Sequence, residues 1–195
     1  NGNKEIENID NGNATLPSYQ NQSQSNSPNN TSSFLEQAVD FSKIRTPELY
    51  FGNQKSNSAI GNSEGVRSGQ TVTYTLTPSV SDSPIKPNTI YLEGKWKNNR
   101  DNVELQSETG RIVLIYSAKS VNLVAGGTGQ GIVREDDSFL SNYSKGVDTE
   151  NGSQFVIDYP RLFNIVNHQS YDDEFHSLIL DVKGKGFQAH AFTFG

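Results

Sequence analysis

From about residue 46 to the last residue, apolar side chains recur with a period of two. Val72, Tyr74 and Leu76 alternate with Thr71, Thr73, Thr75 and Thr77. This is a β-branched strand with one apolar face. Ile90, Leu92, Gly94 and Trp96 alternate in the same way with Tyr91, Glu93, Lys95 and Lys97. The polar NNRD at 98–101 then turns the chain into Val103 and Leu105. Ile112 to Tyr116 is unbroken apolar, as expected of a central strand covered on both faces. Val121, Leu123 and Val124 lead into a glycine-rich turn at 126–131. Phe155 and Ile157 precede Pro160, which lacks an amide donor and marks a break between strands. Leu162 to Val166, then Leu178, Leu180 and Val182, then Phe187 to Phe194 complete the series, with KGKG (183–186) as the last hairpin turn.

The pattern predicts about nine or ten short strands at turn spacings of about 8–12 residues, the rhythm of a sandwich or barrel. No helix-length segment of period 3.6 separates them, which argues against a parallel α/β sheet. The expectation is an all-β antiparallel β-sandwich over residues 45–195. RTPELYFG (45–52) would be its entry strand, with Leu49 and Phe51 facing away from Glu48 and Tyr50. Residues 1–44 read differently. Large apolar residues are sparse there, and the stretch YQNQSQSNSP (19–28) is polar and of low complexity. Such a segment buries too little surface to offset its ordering entropy, so it is expected to be a disordered linker. SFLE (33–36) resembles a capping box and predicts a short helix over 34–40, ended before Pro47.

Composition narrows the chemistry. The chain of 195 residues has no Cys, so it holds no disulfide, thiolate nucleophile or Cys-ligated metal. A formal net charge of −6 with dispersed Lys and Arg does not suit nucleic acid. No apolar run approaches the roughly 20 residues a membrane helix requires, and no membrane contact is expected of this domain. With no Met and Asn1 first, the chain reads as a piece of a longer protein.

Candidate binding residues are few. Trp96 could stack on a sugar ring, but its phase with Ile90 and Leu92 points it into the core. Tyr91, on the opposite face beside Lys95, is better placed to meet a ligand. Tyr143 and Asp148, in the 138–148 loop, are the other candidates. His168, His176 and His190 lack a tight metal-ligand spacing, and His190 alternates with Phe192 and Phe194 as a packed residue would. The acidic triplets EDD (135–137) and DDE (172–174) offer oxygen ligands for calcium but have no EF-hand pattern; they read as solvated turns. The glycine run lacks GxGxxG spacing and a following helix. Glu93 and Glu104 are the pair a glycosidase reading would use, with surface carboxylates as the default. No metal and no cofactor is expected.

The segments TPELYFG (46–52), LEGKW (92–96), GRIVLIYSAKSVNLV (110–124), GVD (146–148), PRLF (160–163) and the terminal AFTFG (191–195) carry a resemblance in their order. In that order the chain resembles the C-terminal domain of DipZ-type envelope proteins, which join a cytochrome c biogenesis-type membrane transporter to an extracytoplasmic thioredoxin-like domain. Ile90, Asn122 and the loop from Glu135 to Lys145 depart from that pattern. The resemblance implies a carbohydrate-binding-module-like jelly roll in the cell envelope, with no catalytic residue of its own. It would be an accessory module that positions a thiol-disulfide protein through a glycan, or through contact with the thioredoxin-like domain of the same parent. The alternatives are a free-standing carbohydrate-binding domain and a jelly-roll enzyme acting on polysaccharide.

Overall fold

A computed structural model describes residues 39–52, 59–76, 85–150 and 153–195. The expected linker up to residue 38, and with it most of the helix expected over 34–40, lies outside the described residues. Val39 and Asp40 are not helical. A single 3₁₀ turn, Phe41–Lys43, follows, with the Asp40 carboxylate accepting from the Ser42 amide at 3.1 Å.

The described residues form twelve strands and no α-helix. They are β1 (Leu49–Tyr50), β2 (Thr71–Tyr74), β3 (Ile90–Asn98), β4 (Val103–Leu105), β5 (Thr109–Tyr116) and β6 (Ser120–Gly126). Then come β7 (Gly129–Glu135), β8 (Ser138–Phe139), β9 (Gln154–Ile157), β10 (Arg161–Asn167), β11 (His176–Lys183) and β12 (Gln188–Phe194). Every strand pairing is antiparallel, along the path β10-β6-β12-β4-β3-β5-β11-β7-β8. Late strands are interleaved between early ones, β12 between β6 and β4 and β11 between β5 and β7, as in the winding of a jelly roll.

The path curls into two facing halves at β3. Ile90–Glu93 pair with β5, whereas Gly94–Lys97 pair with β2 and Trp96–Asn98 with β4. The crease is Gly94, at φ +103, where a Cβ would press on the Thr109 carbonyl at 3.1 Å. Only glycine takes that backbone conformation without strain. The first half (β3 start, β5, β11, β7, β8, β9) and the second (β3 end, β2, β4, β12, β6, β10, β1) enclose one core. Rings from both halves meet inside it: Tyr116 of β5 stacks on Phe194 of β12 with centroids 5.9 Å apart. Within the second half, Trp96 meets Phe187 edge-on at 6.2 Å.

The alternation read from the sequence holds along most strands. Leu49 and Phe51 are buried, and so are Val72 and Tyr74, Ile90, Leu92 and Trp96, and Leu178, Leu180 and Val182. β5 is central as expected, between β3 and β11, although its outer face is only partly covered: Val113 is buried and Ile115 half-buried. Two expectations need correction. The glycine-rich turn is shorter than the sequence suggests, because β7 begins at Gly129. His190 does not pack into the core. It sits at a bulge where the register shifts between Ala189 and Ala191, so its ring is half-exposed, 4.0 Å from Asp101.

The far edge of the second half is not left open. Ser144–Asp148 runs along β10, with the Gly146 and Asp148 amides donating to the Ile165 and Asn164 carbonyls. The Asn167 amide donates back to the Ser144 carbonyl at 2.9 Å.

Candidate functional site

The outer face of the first half carries a groove of about 470 Å³. The strand register explains its lining. Glu93, Arg111, Asp181, Ile132 and Gln154 lie in one row across β3, β5, β11, β7 and β9. The next row, Thr109, Lys183, Gln130 and Val156, forms its other side. Two paired residues of adjacent strands have Cβ atoms close enough for side chains to touch, and here the pairs are ionic. Arg111 Nε donates to Asp181 Oδ1 at 2.6 Å, and Arg111 NH1 lies 3.4 Å from Glu93 Oε2. Arg134, one row further along β7, donates to the other Asp181 oxygen. The hydrogen bond to Asp181, ahead of the charges of Asp181 and Glu93, raises the Arg111 pKa above its ordinary value. Ile132 and Val156 set apolar surface among these groups, and Val156 is 62% exposed. The groove floor is thin at Gly110: a Cβ there would lie 2.7 Å from Trp96 Cζ2 on the inner side.

A second cluster lies at the opposite end of the same strands, facing inward. Tyr116 on β5 donates its hydroxyl to Glu135 at the end of β7, and His168 Nε2 lies 3.0 Å from the same carboxylate oxygen. The His168 and His176 rings stack with centroids 5.5 Å apart. His176 Nδ1 is 2.7 Å from Asp136, and its Nε2 is 3.1 Å from Asp172. Burial first, and then the Glu135 charge and hydrogen bond, push the Tyr116 hydroxyl far above its usual pKa. Burial alone would lower the His176 pKa, but hydrogen bonds to Asp136 and Asp172 outweigh it and raise it. Among the described residues, no group of three or more His, Asp or Glu could hold a metal ion.

Residues 46–195 match the family model described as thioredoxin like C-terminal domain. The chain belongs to this family. No curated protein matches it.

In this thioredoxin-like C-terminal domain the residues singled out from the sequence are dispersed. Trp96 has no exposed surface; its indole nitrogen donates to the Glu93 carbonyl at 2.9 Å. No face of the ring is left for a sugar. Tyr91 lies on the groove side of β3, one row beyond Glu93, and its hydroxyl accepts from the Lys86 amide at 3.2 Å. Lys95 is exposed on the part of β3 beyond the crease. Tyr143 is 72% exposed in the segment leading to the β10 edge and does not line the groove. Asp148 is engaged within the protein, by Arg161 at 2.7 Å and the Asn164 amide at 2.7 Å. Glu93 faces Arg111, whereas Glu104 holds Gln106 and Gln188 on the other half.

The groove row itself was missed. Its signal was present in the charged residues Glu93, Arg111 and Asp181, each out of phase with buried neighbours on its strand. Joining them requires the interleaved strand order, which no local pattern states. The histidine cluster was missed for a related reason. Its two acidic triplets and two histidines were read one by one, and the fold brings them together.

Proposed function

We propose that this thioredoxin-like C-terminal domain is a non-catalytic binding module whose outer-face groove receives a glycan chain. In this reading it serves an extracytoplasmic, DipZ-type thiol-disulfide protein by fixing where that protein works. The observation that carries the reading is the groove of about 470 Å³ with its row of Glu93, Arg111, Asp181 and Gln154. Planar, paired hydrogen-bonding groups suit vicinal hydroxyls. The neighbouring Ile132 and Val156 suit the apolar faces of sugar rings. The volume falls within the range of small-molecule sites, roughly 300–1,000 Å³. An open sheet face buries only part of a ligand, so affinity is expected to be modest. The absence of Cys leaves thiol chemistry to other parts of the parent.

Isothermal titration of the chain with cell-wall oligosaccharides tests this. Saturable binding lost in Gln154→Ala and Asp181→Asn supports it. Release of reducing sugar would replace it with an enzyme. Binding of a thioredoxin-like domain through the same residues, with no response to sugars, would assign the groove to a protein.

A further inference from the structure

The histidine cluster does something that packing alone does not require. Both ring nitrogens of His176 face carboxylate oxygens, Asp136 Oδ2 at 2.7 Å and Asp172 Oδ2 at 3.1 Å. An ionised carboxylate only accepts hydrogen bonds. Two such contacts therefore call for two N–H donors, and only the imidazolium has both. Neutral imidazole can keep one contact and turns a lone pair towards the other carboxylate. Asp136 and Asp172 are about half exposed, at 55% and 50% of their side chains.

The two carboxylates belong to different segments. Asp136 sits in the β7–β8 turn at φ +48, where its other oxygen accepts from the Ser177 amide at 2.8 Å. Asp172 sits in the irregular stretch 168–175 between β10 and β11. That stretch also holds the chain's entry into the domain. Tyr171 Oη accepts from the Asp40 amide at 2.9 Å, and the Asp173 carbonyl accepts from Arg45 NH1 at 3.1 Å. The other groups around the imidazole are Tyr116 from β5, Glu135 from β7 and the stacked His168 following β10. Phe194 of β12 stacks on the Tyr116 ring.

We propose that His176 is a proton-operated clasp, closed while its ring bridges Asp136 and Asp172, which fixes the 168–175 stretch and through it the entry segment at Asp40–Arg45. When the ring loses its proton, the Asp172 arm is released and the entry segment loses that anchor. The direction follows from the contacts. The carboxylates raise the His176 pKa, so the clasp is intact on the acid side of its transition and opens as pH rises through it. The His176 hydrogen bond, after burial acting the other way, lowers the Asp136 pKa, so the clasp also fails at low pH once that carboxylate takes a proton. It therefore works within a pH window, as histidine devices do.

NMR of the whole 195-residue chain tests this, with ring ¹⁵N shifts reporting the His176 charge and amide relaxation reporting order. On the acid side, both His176 nitrogens should be protonated and amides 171–175 should show order parameters near ~0.85, as in rigid backbone. Through the His176 transition these should fall towards ~0.6, while the β5 and β11 amides stay rigid. In Asp172→Asn, a half-exposed position, the stretch should be mobile at every pH and the His176 transition should move to lower pH. His176→Gln should likewise abolish the step. Unchanged order across the wild-type transition would overturn the proposal, and so would an Asp172→Asn protein that keeps the pH-dependent step. The rigid β5–β11 amides of each variant report whether it has folded.

Discussion

β5, β7 and β11 carry two charged assemblies, one at each end and on opposite faces. On the outer face, Arg111, Asp181, Glu93 and Arg134 are linked side by side, with Arg111 and Asp181 side chains 40% and 34% exposed. On the inner face, Glu135 is shared by Tyr116 and His168, with the Glu135 side chain 9% exposed. The residue chemistry is similar, but the surroundings are not. Exposed ion pairs in water gain little, because solvent screens them and the side chains lose rotamer freedom. A buried acceptor that loses its donor retains the full cost of its desolvation. The inner cluster is therefore expected to contribute more to stability than the outer ladder.

The sharpest way to break the contrast is from beneath the groove. Trp96→Ala should destabilise the domain by about 3–5 kcal/mol, the range for truncating a buried aromatic, and should also collapse the groove floor at Gly110. Denaturant melts read the first effect, and loss of ligand response in protein still folded reads the second. Next in size is Tyr116→Phe, which deprives Glu135 of a buried donor and should cost about 1–3 kcal/mol. A cost near zero in chemical unfolding would place the inner cluster with the outer ladder.

Proton linkage separates the two assemblies further. The raised His176 pKa contributes stability that is full below the unfolded histidine pKa and lost as pH rises through the folded one. Unfolding free energy measured against pH should therefore fall on the alkaline side of that transition. His176→Gln should remove this step, and Arg111→Gln should leave it in place. The smallest stability effect belongs to the groove: Arg111→Gln should change unfolding free energy by less than about 1 kcal/mol. A much larger loss would mean that the ladder holds the sheet together rather than standing ready for a ligand.

The all-β class, the entry strand and the burial of Trp96 were legible because each rests on a period-two pattern within a few residues. Gly94 was visible only as a gap in the apolar phase; that it creases β3 into two halves depends on pairing with β5 on one side and β2 on the other. His190 misled because a bulge one residue long reverses the phase that alternation assumes. The groove and the histidine cluster depend on β11 lying between β5 and β7, a long-range pairing that spacing along the chain does not encode. Tyr143 stood out in the sequence as an aromatic in a loop, yet it is not among the residues that line the groove.

The segment laid against β10 has a consequence for life in a crowded compartment. A bare edge strand is a template on which a second copy can add its own strand, and then a third. Here the carbonyls of Asn164 and Ile165 and the amide of Asn167 are already occupied by Ser144–Asp148. Arg161 and Asn164 hold that segment down through Asp148. Cutting the Arg161–Asp148 tie would thus reveal itself less in the melting curve than in the test tube over time, as slow growth of fibrils from a protein that still folds.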